Sequence, residues 1–303
     1  MKKLIVSGAT SFIGIHLINA LIEEGKEVTA IVRKKSTNLS KIPLSDRIKI
    51  IELNMDEYKD IHKYIQETEC FIHLAWDGTR GTQRDNFKLQ YQNYENSLQA
   101  LNSVAKIGCK LVLSAGSQAE YGNYNHLINE DTPCRPQTQY GICKLNFYDS
   151  AYEFCKSNGI AFKEPRFFSI YGSGDYEGTM IMSVLKNMLN NADCSLTQCI
   201  QYWDFLNIRD AVEGLLTLIE TECDDGAYNF GSGDLRLLKS YIEEMYFITK
   251  SKSKLMYGQI PYGEKGMLSI MPDVTKLKGL GWYPKVTFAN GISEIIRDWT
   301  WYK

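Results

Sequence analysis

Tyr140-Gly141-Ile142-Cys143-Lys144 sets a phenol and an ammonium four residues apart, on one face of a helix that starts after Pro136. A lysine charge favours the tyrosinate. A free tyrosine titrates near pH 10, so bringing it to about 7 takes about 4 kcal/mol of differential stabilisation. Tyr140 would then donate or accept a proton at a reacting oxygen. Tyr152/Lys156 and Tyr246/Lys250 share the spacing, so position must decide among the three. Only Tyr140 follows a hydroxyl cluster closing an apolar run, Ser114-Ala115-Gly116-Ser117, where Ser117 is placed to fix that oxygen. The other two pairs read as structural.

A second constellation lies at the N-terminus. Ser7-Gly8-Ala9-Thr10-Ser11-Phe12-Ile13-Gly14 follows the apolar run Leu4-Ile5-Val6 and opens a helical stretch, the context of a dinucleotide phosphate turn. Gly8 permits the tight turn and Gly14 lets the helix lie close, while the free N–H groups and helix dipole meet a pyrophosphate. Ser11 stands where a middle glycine is expected; it narrows the approach but brings a hydroxyl donor. The competing reading is a strand-to-helix turn without ligand. The next strand ends in Arg33-Lys34-Lys35 rather than in an acid for a ribose 2′-hydroxyl. An arginine fork there suits a 2′-phosphate, so NADP(H) is expected over NAD, against a merely solvated basic turn. The positive nicotinamide ring would join Lys144 in lowering the pKa of Tyr140.

These residues need a scaffold, and the apolar pattern supplies one. Strand-like runs at Leu4–Val6, Val28–Val32, Ile48–Leu53, Phe71–Leu74, Lys110–Ser114 and Ala161–Phe168 alternate with helix-period stretches. The helices are expected over Phe12–Ile22, from about Arg84 to Ala105, and over Gln139–Ser157. That rhythm predicts an α/β fold, a doubly wound parallel Rossmann sheet of at least six strands. Beyond Tyr171-Gly172-Ser173-Gly174 the rhythm loosens, with helices over Asp210–Glu220 and Leu238–Lys250 and an extended run over Leu255–Tyr262. Residues 1–170 are expected to form the dinucleotide domain and 171–303 a smaller C-terminal substrate-binding lobe, with about 205–225 packing back on the first.

Composition narrows the partners. The chain has 303 residues and a formal charge of -2, so neither nucleic acid nor an anionic membrane is an expected partner. It has no apolar run of membrane-spanning length, and a cytoplasmic location is expected. Its eight cysteines form no CxxC pair and read as reduced thiols; Cys194 and Cys199 lack a nearby histidine, so no metal site is expected. None of the four histidines suggests catalysis, and His73 reads as closing a strand.

Taken together, these motifs resemble the extended short-chain dehydrogenase/reductase family, in its nucleotide-sugar epimerase, dehydratase and reductase branch. The glycine turn, His73-Leu74-Ala75, Asn93, the run from Ser117 to Gly122, Tyr140 with Lys144, Pro165-Arg166, Tyr171-Gly172, Trp203-Asp204-Phe205 with Asp210, and Leu280-Gly281-Trp282 fall in family order. The resemblance implies that Ser117, Tyr140 and Lys144 are catalytic. It implies that Asn54 and Met55 approach the adenine, that Leu74, Ala75 and Asn93 line the cofactor channel, and that Phe168 and Ser169 lie near nicotinamide and sugar. Trp76, Gln118, Ser169, Trp203 and Lys265 are the expected substrate residues. A homodimer through the long helices is also implied.

Departures from the family pattern select the reaction. Ser117 is followed by Gln118-Ala119 rather than the Asp-Glu pair of the dehydratases, which removes the acid and base for water elimination. Glu120 is the nearest carboxylate and reads as packing structurally. Arg33 argues against a C4 epimerase holding NAD. Trp203 stands where an arginine often grips the diphosphate, with Lys265 a substitute for a second one; the context Gln201-Tyr202-Trp203-Asp204 resembles members associated with bacterial surface-polysaccharide deoxysugars. The resulting expectation is NADPH-dependent reduction of a nucleotide-linked 4-keto-6-deoxy sugar. The rivals are a 4-epimerase with tightly bound NAD and a non-catalytic dinucleotide sensor.

Overall fold

A computed structural model describes residues 1–263 and 267–300. The strands are β1 (Lys3–Ser7), β2 (Glu27–Val32), β3 (Ile48–Glu52), β4 (Cys70–His73), β5 (Leu111–Ser114), β6 (Gly116–Ser117), β7 (Ala161–Phe167), β8 (Ser169–Tyr171), β9 (Cys194–Ser195), β10 (Tyr202–Trp203), β11 (Phe205–Asn207), β12 (Gly226–Phe230), β13 (Arg236–Leu237) and β14 (Leu255–Met256). The helices are α1 (Phe12–Glu23), α2 (Ile61–Tyr64), α3 (Phe87–Ala105), α4 (Gln139–Ser157), α5 (Met180–Leu189), α6 (Ile208–Glu220), α7 (Leu238–Thr249), α8 (Thr275–Lys278) and α9 (Phe288–Thr300). They form two compact units. Met1–Gly122, Glu130–Phe167 and Val212–Asn229 make the first, and Asn123–Asn129, Phe168–Ala211 and Phe230–Lys303 the second.

The first unit is built on a sheet ordered β12-β7-β5-β4-β1-β2-β3, with β6 also paired to β7. The pairings from β3 across to β7 are parallel. This is the doubly wound Rossmann sheet expected. Its inner strands are buried on both faces, which is why β1 and β4 read as unbroken apolar runs rather than alternating ones. β3 is an edge strand and leaves Lys49, Ile50 and Glu52 exposed.

Two sequence expectations shift at their ends. The helix expected from about Arg84 starts at Phe87, because the Asn86 side chain caps it by accepting from Leu89 N at 3.2 Å and leaves Gly81–Asp85 as a separate 3₁₀ turn. Of the extended run expected over Leu255–Tyr262, only Leu255–Met256 pairs as a strand, with β9.

A later segment completes the first sheet. Phe162 N donates to Asp225 Oδ1 at 2.9 Å, and the buried Lys163 Nζ donates to the Leu218 and Thr221 carbonyls at 2.9 and 2.8 Å, satisfying the C-terminal end of α6. In the second unit Tyr171, Phe205, Tyr241 and Phe288 centre an aromatic core. There the carboxylate of Asp210 accepts from Lys285 N and Val286 N, each at 2.9 Å, and Asp204 accepts from Ser232 N and Gly233 N at 2.7 and 2.6 Å. Both family-order aspartates therefore hold loops.

The strand order reverses between β1 and β4, where α/β folds bind ligands. There the last register pair, Ser7 and His73, joins through Ser7 Oγ and His73 Nδ1 at 2.7 Å, and His73 Nε2 meets Ser97 Oγ of α3 at 2.8 Å. Burial, helped by the Lys144 charge, pushes the His73 imidazole down to about 3 from its usual 6.5. The unfolded chain takes up a proton near pH 6.5 that the folded chain refuses until about 3. Stability is therefore lost as pH falls through that window, by up to about 1.4 kcal/mol per pH unit once well below 6.5. Urea unfolding of parent and His73→Asn proteins across this range should show a flatter pH dependence in the variant, by the equivalent of one proton; parallel curves would refute the neutral buried histidine.

Candidate active site

Ser117 is held from three sides. β6 pairs with β7 in the register Ser117↔Phe167, Ser117 N donates to Glu120 Oε1 at 2.7 Å, and Ser117 Oγ accepts from Ala119 N at 3.2 Å. Its hydroxyl also acts on the Tyr140 phenol, favouring the charged form. Tyr140 and Lys144 lie on the buried face of α4, which Thr138 caps by accepting from Gly141 N at 3.1 Å. Trp76 closes the cluster, its ring centroid 6.3 Å from that of Tyr140 and 3.8 Å from Lys144 Nζ. The structure thus brings Ser117, Tyr140, Lys144 and Trp76 together at the carboxyl edge of the sheet.

The electrostatics differ from expectation. Burial pushes Tyr140 up to about 12, with the carboxylates of Glu120 and Glu164 adding to the rise, instead of its being drawn toward neutrality. The Lys144 ammonium donates to the Ala115 carbonyl at 2.7 Å and lies over the Trp76 ring. Its own pKa is lowered to about 8 by burial. The cation acting on the phenol is Arg84, whose guanidinium carbon sits 4.8 Å from the Tyr140 ring centroid. Sequence spacing gave no sign of Arg84, since it comes from the turn before α3. That turn is tied to α4, Gln139 N donating to Asp85 Oδ1 at 3.2 Å.

Around the glycine turn, Gly8 has φ +66°, and a Cβ there would fall 2.7 Å from Ala75 N and 2.8 Å from the Leu74 carbonyl carbon. A Cβ on Gly14 would fall 2.4 Å from Gly8 O. Only glycine lets the three segments approach this closely. Ser11 caps α1 by accepting from Gly14 N at 3.1 Å, which leaves its hydroxyl hydrogen available to donate. The amides of Phe12 and Ile13 have no hydrogen-bond partner among the described residues. Two free amides at the start of a helix, beside a turn that admits no Cβ, fit a dinucleotide pyrophosphate. Thr10 is steadied by the loop after β2, with Ser36 Oγ donating to its Oγ1 at 3.1 Å.

At the end of β2 the basic run divides. Lys34 is paired with Glu57; Arg33 is exposed and lies 3.7 Å from Asp77 Oδ1. Asn54 caps the 3₁₀ turn Met55–Asp60 and accepts from Lys34 N at 3.3 Å, while Met55 packs against the core. Asn93 is buried, and its amide exchanges two hydrogen bonds with the backbone of Asp77, at 3.2 and 2.8 Å. It shapes the segment after β4 that carries Leu74, Ala75 and Trp76. Gln90, which sequence reading passed over, does the same one turn earlier, accepting from Trp76 Nε1 at 2.7 Å and donating to the Gly78 and Gln83 carbonyls at 2.9 Å each. A glutamine on the apolar stripe of α3 was the available signal.

Gln118 Oε1 is buried without a partner among the described residues. In the second unit, Phe168 N donates to Phe230 O at 3.1 Å, and Trp203 Nε1 donates to Ser169 Oγ at 3.0 Å. Lys265 lies outside the described residues.

A model of the NAD-dependent epimerase/dehydratase family matches residues 4–231. The chain belongs to this family. Among its relatives, the UDP-N-acetyl-alpha-D-glucosaminuronate decarboxylase of Bacillus cytotoxicus is 25% identical over 324 residues, covering 100% of this chain and 98% of that one. The dTDP-6-deoxy-L-talose 4-dehydrogenase (NAD(+)) of Aggregatibacter actinomycetemcomitans is 26% identical over 263 residues, covering 86% and 95%. The fold superposes on a UDP-N-acetylglucosamine 4-epimerase from Methanobrevibacter ruminantium M1 with a TM-score of 0.90 at 19% identity, covering 100% of this chain and 99% of that one. Membership makes NAD(P) the cofactor class and agrees with the cradle at Gly8. No helix among the described residues is long and apolar enough to cross a membrane.

The position of Arg84 gives a direct test. In protein labelled at the tyrosine ζ carbon, the NMR signal lost in Tyr140→Phe identifies the phenol. Arg84→Gln should raise its titration by up to roughly one pH unit and Arg84→Lys by less. An unmoved titration would show that solvent screens the guanidinium.

Proposed function

We propose that this chain is a nucleotide-sugar oxidoreductase that reduces a 4-keto (6-deoxy) sugar at C4, preferring NADP(H). The observation that carries the reading is the grouping of Ser117 and Tyr140 beside Lys144 and Trp76, at the carboxyl edge of the sheet that also carries the glycine turn. A phenol held at about 12 by burial is fully protonated at neutral pH. That is the form needed to protonate an alkoxide, whereas the opening step of an epimerase needs the phenolate as base.

A dinucleotide held at the glycine turn would supply the hydride. Tyr140 gives its proton to the C4 oxygen as negative charge develops there, and solvent restores it. Ser117 keeps that oxygen within reach of the phenol, its own position fixed by Glu120 and Ala119. Lys144 is to hold the nicotinamide ribose by exchanging the Ala115 carbonyl for a ribose hydroxyl. Gly8, Thr10, Ser11, Phe12, Ile13 and Gly14 receive the pyrophosphate, and Arg33 the 2′-phosphate. On the sugar side, Gln118 Oε1 would accept a hydrogen bond from a substrate hydroxyl. The 4-dehydrogenase relative, named for a nucleotide 6-deoxysugar, supports chemistry at C4. Exposed Phe87 and Tyr91 on α3 and Ile142 on α4 would form a homodimer contact, and the eight free thiols fit a reducing cytoplasm.

A second reading, a 4-epimerase retaining NAD, is favoured by the Arg33–Asp77 pair, which sets a carboxylate beside the cation meant for the 2′-phosphate. The epimerase neighbour agrees with it.

Tyr140→Phe should keep the parental melting curve and lose about 10²- to 10⁴-fold in kcat for NADPH-dependent reduction of a 4-keto nucleotide sugar. Wild-type turnover in that variant would end the assignment. Arg33→Ala should raise KM for NADPH about tenfold or more and leave KM for NADH nearly unchanged. Protein that purifies with bound NAD and interconverts C4 epimers without added reductant would establish the second reading.

A further inference from the structure

Beneath Ser117 the first unit buries two carboxyl groups against one guanidinium. Glu120, in the turn after β6, and Glu164 and Arg166, on β7, are 0%, 0% and 2% exposed. Arg166 Nε lies 2.8 Å from Glu120 Oε2 and 3.0 Å from Glu164 Oε1, so both carboxyls lean on one nitrogen. The rest of the guanidinium is spent elsewhere. Its carbon stacks 4.7 and 4.9 Å from the Tyr121 and Tyr148 rings, and Nη1 donates to Cys134 Sγ at 3.5 Å.

Among the described residues the next cation is Lys144, which attracts both carboxylates but makes no ion pair with either. Lys144 is committed to Ala115, and the remaining titratable side chains facing the cluster are Asp149, Cys134 and the tyrosines, which bring no positive charge. Nor can the Glu164 carboxyl retreat, because it is pressed against β6: a Cβ on Gly116 would fall 2.7 Å from Glu164 Cδ. The single Nε hydrogen goes to Glu164 Oε1, so with both groups ionised Glu120 Oε2, although 2.8 Å from that nitrogen, and Glu164 Oε2 are buried acceptors without a hydrogen-bond donor among the described residues. The two carboxyls converge on the same nitrogen, 2.8 and 3.0 Å from Arg166 Nε, and two carboxyl groups hydrogen-bond only across a shared proton.

We propose that Glu164 is a positioning residue that remains a neutral carboxylic acid at physiological pH, donating to Glu120 so that Glu120 stays ionised on Ser117 N and Arg166. One proton then satisfies both orphaned carboxyls, and Glu120 keeps the charge that anchors the serine. The site above is left with one buried negative charge rather than two. Since both glutamates disfavour the Tyr140 phenolate, that halved charge eases its transient formation. This last consequence rests on the proton-transfer role assigned to Tyr140; the protonation of Glu164 does not.

Infrared spectroscopy of the full chain, with glutamate carboxyls labelled with ¹³C, tests the state directly. Wild-type protein at neutral pH should show a glutamate carboxylic-acid C=O band that is absent from Glu164→Gln. No such band in the wild type, or one that survives in Glu164→Gln, overturns the proposal. Should Glu164→Gln fail to fold, the labelled wild-type spectrum decides alone. Gln keeps a neutral donor toward Glu120, so Glu164→Gln should retain kcat within about threefold, and its pH limb within about 0.3 unit, while Glu164→Leu loses tenfold or more in kcat. A limb moved down by about one unit in Glu164→Gln would mean that a charge had been removed, and that result also overturns the proposal. If instead Tyr140→Phe proves active, the role of the site fails while the acid band stands.

Discussion

Backbone segments after β1 and after β4 come as close as atoms allow at the reversal of strand order. Gly8 sits against the Leu74–Ala75 peptide, where even a methyl group would collide, and α1 starts directly over Gly8. One register step below, Ser7 and His73 link the same two strands, and Ser97 extends the link to α3. The sheet, the phosphate turn and α3 therefore share one fixed point. Trp76 and Asp77 follow from it, held by Gln90 and Asn93, and Trp76 in turn contacts both Tyr140 and Lys144.

Much of this was legible in the residues. The alternation of apolar runs with helical stretches predicted the doubly wound sheet, and α4 begins and ends where the sequence placed it, because Thr138 is a helix cap that can be read locally. The glycine turn was legible for the same reason: a strand, a tight turn and a helix dictate where glycine is needed. What stayed hidden depends on groups far apart in sequence. Arg84 meets Tyr140, Arg166 meets Glu120 and Glu164, and Asp77 meets Arg33 only after the sheet brings their elements together. Lys34 likewise meets Glu57 only in the folded chain. Type and spacing reveal which chemistry a segment is able to do; they do not reveal which neighbour has already claimed a charge.

That distinction bears most on the pair from which the sequence reading began. The tyrosine and lysine do share a helix face, but burial acts on them in opposite senses, raising the phenol and lowering the ammonium. Both shifts favour the neutral forms. The cluster is thus poised by dehydration as much as by its own charges, and a bound ligand that brings charge or excludes water would have a large effect on it.

The return of a late segment to the first unit has a consequence for how the chain is made. β12, residues 226–230, supplies the strand beyond β7, and Lys163 of β7 finds its carbonyl partners only at Leu218 and Thr221. During synthesis β7 must wait some sixty residues with one edge unpaired and a lysine without its acceptors. The sheet cannot close as an early, self-contained folding event. Its last strand arrives only once residue 230 has left the ribosome, and this interval of open edge is the period in which the nascent chain most needs protection from its neighbours.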